Sequence, residues 1–355
     1  MKLTIGARIL EELLKVLSTA TEKKSTIPVL GYVLIDLAAR SITATNLEQA
    51  IRLPLGADAR IEGTEKVLAP FFQLLAIAQQ VAGDVILETD GSWLAVCAGE
   101  SKFKLPSMPA DNFPSVDFNP GPALLTLPLP ELKKMSERVA LAISREAGRY
   151  TLQAARLHTV GKALRLVATD GHRLALTERP WDDFGDVSLL LPASVLPLIN
   201  SLSGEAVEIA ESESTLFFTV GQAVVTTRKL AGQFPNYEHV LPTEHKVRVT
   251  FSAQMLSVIL NRLRIVAEED NRAVCFAAAN GKIALSSSSA DRGQGSDVMD
   301  AAIVGGEIRI GLNADFLLAF LQQVTGDVTG EFKDENAAAD FTQGGYRYLV
   351  MPIRL

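Results

Sequence analysis

Leu3-Thr4-Ile5, Leu125-Thr126-Leu127 and Val249-Thr250-Phe251 are three copies of one pattern. Each alternates apolar, polar, apolar, as a half-buried strand does. Counting from the first residue of each copy, the apolar residues that follow stay in register. Leu10, Leu132 and Leu256 stand seven residues on, Leu13, Met135 and Ile259 ten on, and Leu17, Val139 and Leu263 fourteen on. Those offsets share one face of a helix with 3.6 residues per turn. The copies begin 122 and 124 residues apart.

A second motif interleaves with the first. Leu68-Ala69-Pro70, Leu191-Pro192-Ala193 and Leu312-Asn313-Ala314 each open an apolar helix. Each of these helices is expected to close on a glycine followed by an acid: Gly83-Asp84, Gly204-Glu205 and Gly326-Asp327. Glycine supplies the left-handed residue that a helix C-cap favours. Alternating strands follow, beginning Val85-Ile86-Leu87, Val207-Glu208-Ile209 and Val328. Two interleaved motifs at nearly equal spacing predict an α+β chain of three repeated domains, each built from two strand–helix–strands units. Turn-rich linkers at Asn119-Pro120-Gly121-Pro122 and Pro242-Thr243-Glu244 place the bounds at 1-121, 122-244 and 245-355.

Composition bounds the function. The 355 residues are 48% hydrophobic and 21% charged, as in an ordinary globular protein. No run approaches the roughly 18 to 20 apolar residues of a membrane span, and no signal peptide opens the chain. A cytoplasmic location without membrane attachment is expected. Cys97 and Cys275 sit in separate apolar runs and read as buried, reduced thiols. The four histidines lack zinc-ligand spacing, so no metal is expected. The net charge of −7 argues against a protein that coats nucleic acid over its whole surface. The first-helix segments nevertheless carry twelve cations, among them Lys24, Arg145 and Arg149, against nine acids. Such a face suits loose, non-specific contact with phosphates, or simply solvates exposed helices.

Thr169-Asp170-Gly171-His172-Arg173-Leu174 contains an Asp and a His two residues apart. In a strand these share a face, so a hydrolase using Asp170 and His172 is one alternative. No Ser or Cys nucleophile with an activating arrangement stands nearby in the sequence, and Asp-Gly is a common turn. A turn is the favoured reading, with no catalytic residue. A repeat scaffold that binds no DNA is a further alternative.

The sequence resembles the bacterial DNA polymerase III beta subunit, the sliding clamp family, along its full length. The likeness rests on Thr26-Ile27-Pro28-Val29-Leu30, on Ala168 through Ala175, on Gly232-Gln233-Phe234-Pro235-Asn236-Tyr237 and on Tyr348 through Leu355. The resemblance implies a non-catalytic, cofactor-free processivity factor: a head-to-tail homodimer encircling double-stranded DNA, with helices lining the ring and sheets outside. It further implies a hydrophobic slot for short peptides of the DNA polymerase III catalytic subunit, the clamp loader, other polymerases and mismatch-repair proteins. Carried over by position, that slot takes Leu152, Thr169, Gly171, His172, Arg173, Leu174, Pro235, His239, Val240, Leu349, Val350, Met351, Pro352, Ile353 and Arg354. Asn336 and Ala338 would form one wall, and His239 departs from the family's arginine. DNA contact maps to Lys24, Arg145, Arg149 and Tyr150, with Glu146 departing toward negative charge. The dimer seam maps to Phe103 and Leu105 against Ile265 and Val266.

Overall fold

The computed structural model describes residues 2–90, 92–146, 148–182 and 185–354. The chain packs into two compact units, Met1–Lys133 with Ser194–Lys229, and Lys134–Ala193 with Leu230–Leu355. These follow the large sheets and not the expected repeat bounds: the cut falls inside a helix, between Lys133 and Lys134.

Every sheet is antiparallel. The first unit holds a five-stranded sheet in the order Arg60–Glu62, Lys2–Gly6, Asp84–Asp90, Trp93–Ala98 and Ser101–Pro106. Its eight-stranded sheet runs Leu125–Pro128, Ala206–Glu211, Thr215–Val220, Ala223–Arg228, Gln49–Pro54, Ser41–Thr45, Tyr32–Asp36 and Lys66–Pro70. The second unit holds a nine-stranded sheet: Ser188–Pro192, Ala154–Val160, Ala163–Thr169, Arg173–Pro180, Tyr346–Val350, Ala339–Gln343, Asp327–Phe332, Val247–Ser252 and Ala302–Val304. Its four-stranded sheet runs Gly293–Asp300, Lys282–Ser289, Ala273–Ala279 and Ile308–Asn313.

The helices α1 (Ala7–Leu17), α2 (Phe71–Ala78), α3 (Leu129–Ala140), α4 (Leu196–Ser201), α5 (Ala253–Leu263) and α6 (Ala314–Leu321) lie where the two motifs predict. The apolar stripe holds with one turn of emphasis. Leu10, Leu17, Leu132, Met135, Val139, Leu256, Ile259 and Leu263 are buried, whereas Leu13 is only half-buried and Leu14 takes the inner place. The leading strands behave alike, with Leu3, Ile5, Leu125, Leu127, Val249 and Phe251 all buried.

The glycines do a different job from the expected one. Gly83, Gly204 and Gly326 lie beyond the ends of α2, α4 and α6, and only Gly83 and Gly326 take left-handed φ, at 79° and 74°. They turn the chain so that the start of the next strand meets the first helix of its own repeat. Gly83 O accepts from Ala7 N at 2.8 Å, Glu205 O from Leu129 N at 2.9 Å, and Gly326 O from Ala253 N at 2.9 Å. The opening amide of a helix has no partner within the helix. Here the same carbonyl position supplies one in all three copies.

In the second unit Phe320, Phe341, Tyr346 and Tyr348 stack as an aromatic core, the Phe320 and Tyr348 rings 5.1 Å apart. The buried hydroxyls are satisfied: Tyr346 donates to Arg138 O at 2.8 Å and Tyr348 to Phe316 O at 3.1 Å. Desolvation pushes both phenols well above their usual range. Tyr237 pins the segment after Phe234 to the sheet, its hydroxyl 2.9 Å from His158 Nε2. Burial, reinforced by Arg156 and Arg165, lowers the His158 pKa to about 4. The unfolded chain therefore binds a proton at this residue between about pH 4 and the ordinary value near 6.5, and the folded chain does not. Stability from this group is complete above pH 6.5 and falls as pH drops toward 4. Urea midpoints should fall over that interval, and His158→Gln should flatten the fall; an unchanged pH slope would contradict the assignment.

Candidate peptide slot and charged faces

The slot is assembled on the junction of two strands far apart in sequence. Arg173–Pro180 pairs with Tyr346–Val350, setting Arg173 opposite Val350 and Leu174 opposite Leu349. The hairpin turn ahead of Arg173 is held by its own side chains. Asp170 Oδ1 accepts from His172 N and Arg173 N, each at 3.0 Å, and its Oδ2 accepts from Arg173 Nε at 2.8 Å. Thr169 Oγ1 donates to Arg173 O at 2.7 Å and accepts from Gly171 N at 3.1 Å. Gly171 has φ +91°, which glycine adopts without strain. Met351 N donates to His172 O at 2.9 Å, so the C-terminal segment is stitched to this turn.

Asp170 is thus fully engaged in shaping the turn and pairing Arg173, while His172 is exposed. That arrangement explains the motif structurally. The apolar floor below it comprises Val167, Leu174, Leu176, Phe234, Tyr237 and Leu349, with Leu152, Leu190, Leu241 and Ala338 half-buried against it. Val240 and Met351 stand exposed at the edge, as do Pro235 and His239. Arg173 lays its guanidinium over Phe316 at 4.3 Å. Val350 is fully buried between Arg173 and Ala339, so it supports the slot from within the sheet. Asn336 lies in a turn around Asp334, and Ala338 reaches the floor. Ile353 N donates to Gly311 O at 2.8 Å, after half-buried Pro352, and Arg354 is exposed beyond it. Apolar side chains with a few fixed polar groups beside them are the chemistry that short-peptide recognition uses.

A second copy of the turn, not noticed in the sequence, occurs in the first unit. Asn46 Oδ1 accepts from Glu48 N and Gln49 N, and Thr45 Oγ1 donates to Gln49 O at 3.0 Å and accepts from Leu47 N at 3.1 Å. Leu47 takes φ +72° where Gly171 stands in the other copy. Arg228 N donates to Glu48 O at 3.0 Å, the counterpart of Met351 N to His172 O. The floor differs. By strand register, Val167, Leu174, Leu176 and Leu349 correspond to Thr43, Ala50, Arg52 and Thr226. The scaffold is repeated and the apolar surface is not. Thr45-Asn46-Leu47-Glu48-Gln49 lies 124 residues before Thr169-Asp170-Gly171-His172-Arg173, within two residues of the 122 that separate the first two copies, which is the signal that could have revealed it.

The cationic helix faces are more neutral than a count of charges implies. Arg8 pairs with Glu12 at 3.2 Å and Lys15 with Glu11 at 2.7 Å. Arg262 pairs with Asp297 at 3.1 Å, and Arg264 with Asp315 at 3.5 Å. Glu146 holds Arg149 at 3.0 Å, and Arg149 Nη1 also donates to Asp170 O. Lys24, Arg145 and Tyr150 stand exposed, Tyr150 at 67%. On the expected seam, Phe103 and Ile265 are exposed at 38% and 69%, Val266 is half-buried and Leu105 is buried in its own chain.

One potential metal-ligand group does assemble: His245, Glu331 and Asp340 bring ligand atoms within 4.8 Å of one another. Both carboxylates already carry guanidiniums, Arg248 on Glu331 at 2.6 Å and Arg347 on Asp340 at 2.6 Å. Arg347 also donates to Pro242 O at 3.1 Å. The group is an ion-pair network that ties the Pro242 segment to its sheet. Cys97 and Cys275 are free thiols. Among the described residues, no helix is long and apolar enough to cross a membrane.

Three family models match the chain in succession: the DNA polymerase III beta subunit N-terminal domain over residues 1–117, the central domain over 126–236 and the C-terminal domain over 238–354. The beta sliding clamp of Caulobacter vibrioides is 30% identical across the whole of both chains, and that of Pseudomonas aeruginosa is 28% identical, again across both. The crystal structure of the Pseudomonas aeruginosa sliding clamp bound to griselimycin superposes with a TM-score of 0.92 at 27% identity, covering both chains completely. The beta subunit of Streptococcus pyogenes DNA polymerase, at 21% identity, reaches a TM-score of 0.94 over both full chains and supports the fold. The chain belongs to the bacterial DNA polymerase III beta subunit family, the beta sliding clamps, which are non-catalytic processivity factors of DNA replication.

Proposed function

We propose that two copies of this chain close head to tail into a ring around duplex DNA, and that the slot beside Asp170 docks short peptides of the proteins the ring serves. The pattern of sheet edges carries the ring reading. Each large sheet is made by pairing two strands that each end a run of strands: Gln49–Pro54 with Ala223–Arg228, and Arg173–Pro180 with Tyr346–Val350. The two smaller sheets end on the corresponding strands, Ser101–Pro106 and Gly293–Asp300, each with a neighbour on one side among the described residues. An open edge is a template for another strand. Pairing one edge with the other edge of a second chain would make the same junction again, and twofold rotation satisfies both ends.

On this reading the domain bounds are 1-121, 122-244 and 245-355. Phe103 and Ile265 supply exposed apolar surface to the seam, with Val266 beside them. Leu105, already buried, contributes through its strand. Lys24, Arg145 and Tyr150 make the weak phosphate contacts, and Arg149 is shared with Glu146. The slot serves the polymerase catalytic subunit, the clamp loader, other polymerases and mismatch-repair proteins, in the cytoplasm.

Light scattering at micromolar concentration should give twice the 38.2 kDa chain mass, and Phe103→Glu should shift it toward a single chain. A 38.2 kDa species throughout the wild-type titration would contradict closure. The slot is tested separately. Removing the residues after Val350 should weaken binding of a short peptide containing Gln and Leu or Phe by about thirtyfold or more, the scale of a lost hot spot. The dimer should persist, and unchanged peptide affinity in the folded truncation would overturn the slot.

A further inference from the structure

Beside the slot, the four-stranded sheet of the second unit carries a polar cup that shares only Arg354 with the residues expected of the slot. Alternation explains its position. Val274, Phe276, Ile283, Leu285 and Ile310 are buried on one face of the sheet, which turns Ser286, Ser288 and Arg309 to the other. The cavity there measures about 720 Å³, and hydroxyls and amides of Ser286, Ser288, Ser296 and Gln294 line it between two guanidiniums, Arg309 and Arg354. Among the described residues neither arginine has an ion-pair partner. Glu268 stands at the rim, while Asp297 on the edge strand is taken up by Arg262 at 3.1 Å.

The C-terminal segment connects this cup to the slot. Met351 N is bound to His172 O at the slot wall, and Ile353 N is bound to Gly311 O, two residues along the strand from Arg309. Arg354 follows at once on the cup rim. Three residues of extended chain, about 10 Å, separate the two places. A peptide lying in the slot therefore has one flank within reach of the cup.

We propose that the cup receives carboxylate side chains from the flank of a partner peptide seated in the slot. This rests on the slot reading above. Two unpaired guanidiniums outweigh the single rim acid, so a cation is disfavoured. An apolar flank would strip water from the hydroxyls and amides without replacing their hydrogen bonds. Carboxylates satisfy both the charge and the donors. Because the arginines are exposed, each contact is modest, and the cup grades peptides by their flanks without anchoring them.

Three labelled peptides sharing one slot-binding core separate the possibilities by fluorescence anisotropy: one with neutral flanks, one with two Asp or Glu before the core, and one with them after it. At low salt one acidic peptide should bind about threefold to fivefold tighter than the neutral peptide, and the difference should shrink near 0.5 M salt. Arg309→Glu should abolish that preference and leave the neutral peptide's affinity unchanged. If neither acidic peptide gains affinity, or if the gain survives Arg309→Glu, the cup is not the acceptor and the proposal fails while the slot stands. If the neutral peptide does not bind the intact chain at all, the slot reading fails and this proposal goes with it.

Discussion

The antiparallel pairing of Arg173–Pro180 with Tyr346–Val350 is the contact on which the proposed peptide slot depends. It brings Arg173 and Tyr348 together across 175 residues of sequence. Closing so long a loop carries an entropic cost that only grows slowly with length, and a continuous ladder of backbone hydrogen bonds offsets it. Once that ladder forms, Leu174 and Leu349 meet on one face, Met351 reaches the His172 carbonyl, and Arg173 settles over Phe316. The aromatic core of Phe320, Phe341, Tyr346 and Tyr348 then holds the last strand in place. Floor, edge and tail of the slot all follow from one strand junction.

The first unit shows what that junction is worth without an apolar floor. Thr45 and Asn46 build the same turn as Thr169 and Asp170, and Arg228 is stitched to it as Met351 is in the other copy. Thr43, Ala50, Arg52 and Thr226 occupy the places of Val167, Leu174, Leu176 and Leu349. Burying an apolar peptide side chain against such a surface would gain little area and would desolvate hydroxyls and a guanidinium. The turn is therefore an element of the repeat, and the side chains beneath it give one copy an apolar surface that the other lacks. The same reasoning accounts for Asp170 and His172, which look like an acid–base pair in sequence but serve as a turn clasp and an exposed edge.

Much of the fold was legible in the chain because the repeat fixes it twice over. Buried Leu10, Leu132 and Leu256 follow directly from the helical offsets, as do the strands opening at Leu3, Leu125 and Val249. Local periodicity could not decide between Leu13 and Leu14, because a stripe wide enough for both fits the pattern. The role of Gly83 and Gly326 was missed because the carbonyl that receives the α1 or α5 amide lies about 75 residues away in sequence, near but beyond the adjacent helix end. The slot assignment comes from family resemblance and not from spacing, and the buried place of Val350 and Leu105 depends on strand pairing that spacing alone does not give. Charge was least legible. Arg149, Arg262 and Arg264 count as free cations in sequence and are paired in the fold, two of them with acids distant in the chain.

That neutralisation bears on how the chain holds DNA. A face whose arginines are largely committed to its own acids binds phosphates weakly, and salt would release it. The proposed encirclement would remove that dependence, because escape would then require opening a seam or reaching an end. The most direct measurement loads the protein onto nicked circular plasmid with a clamp loader and follows retention through gel filtration at moderate salt, before and after one restriction cut. The account predicts retention on the circle and loss from the linear form, since cutting creates ends without removing a single phosphate. Equal retention on circular and linear DNA of the same length, with ends unblocked, would contradict it.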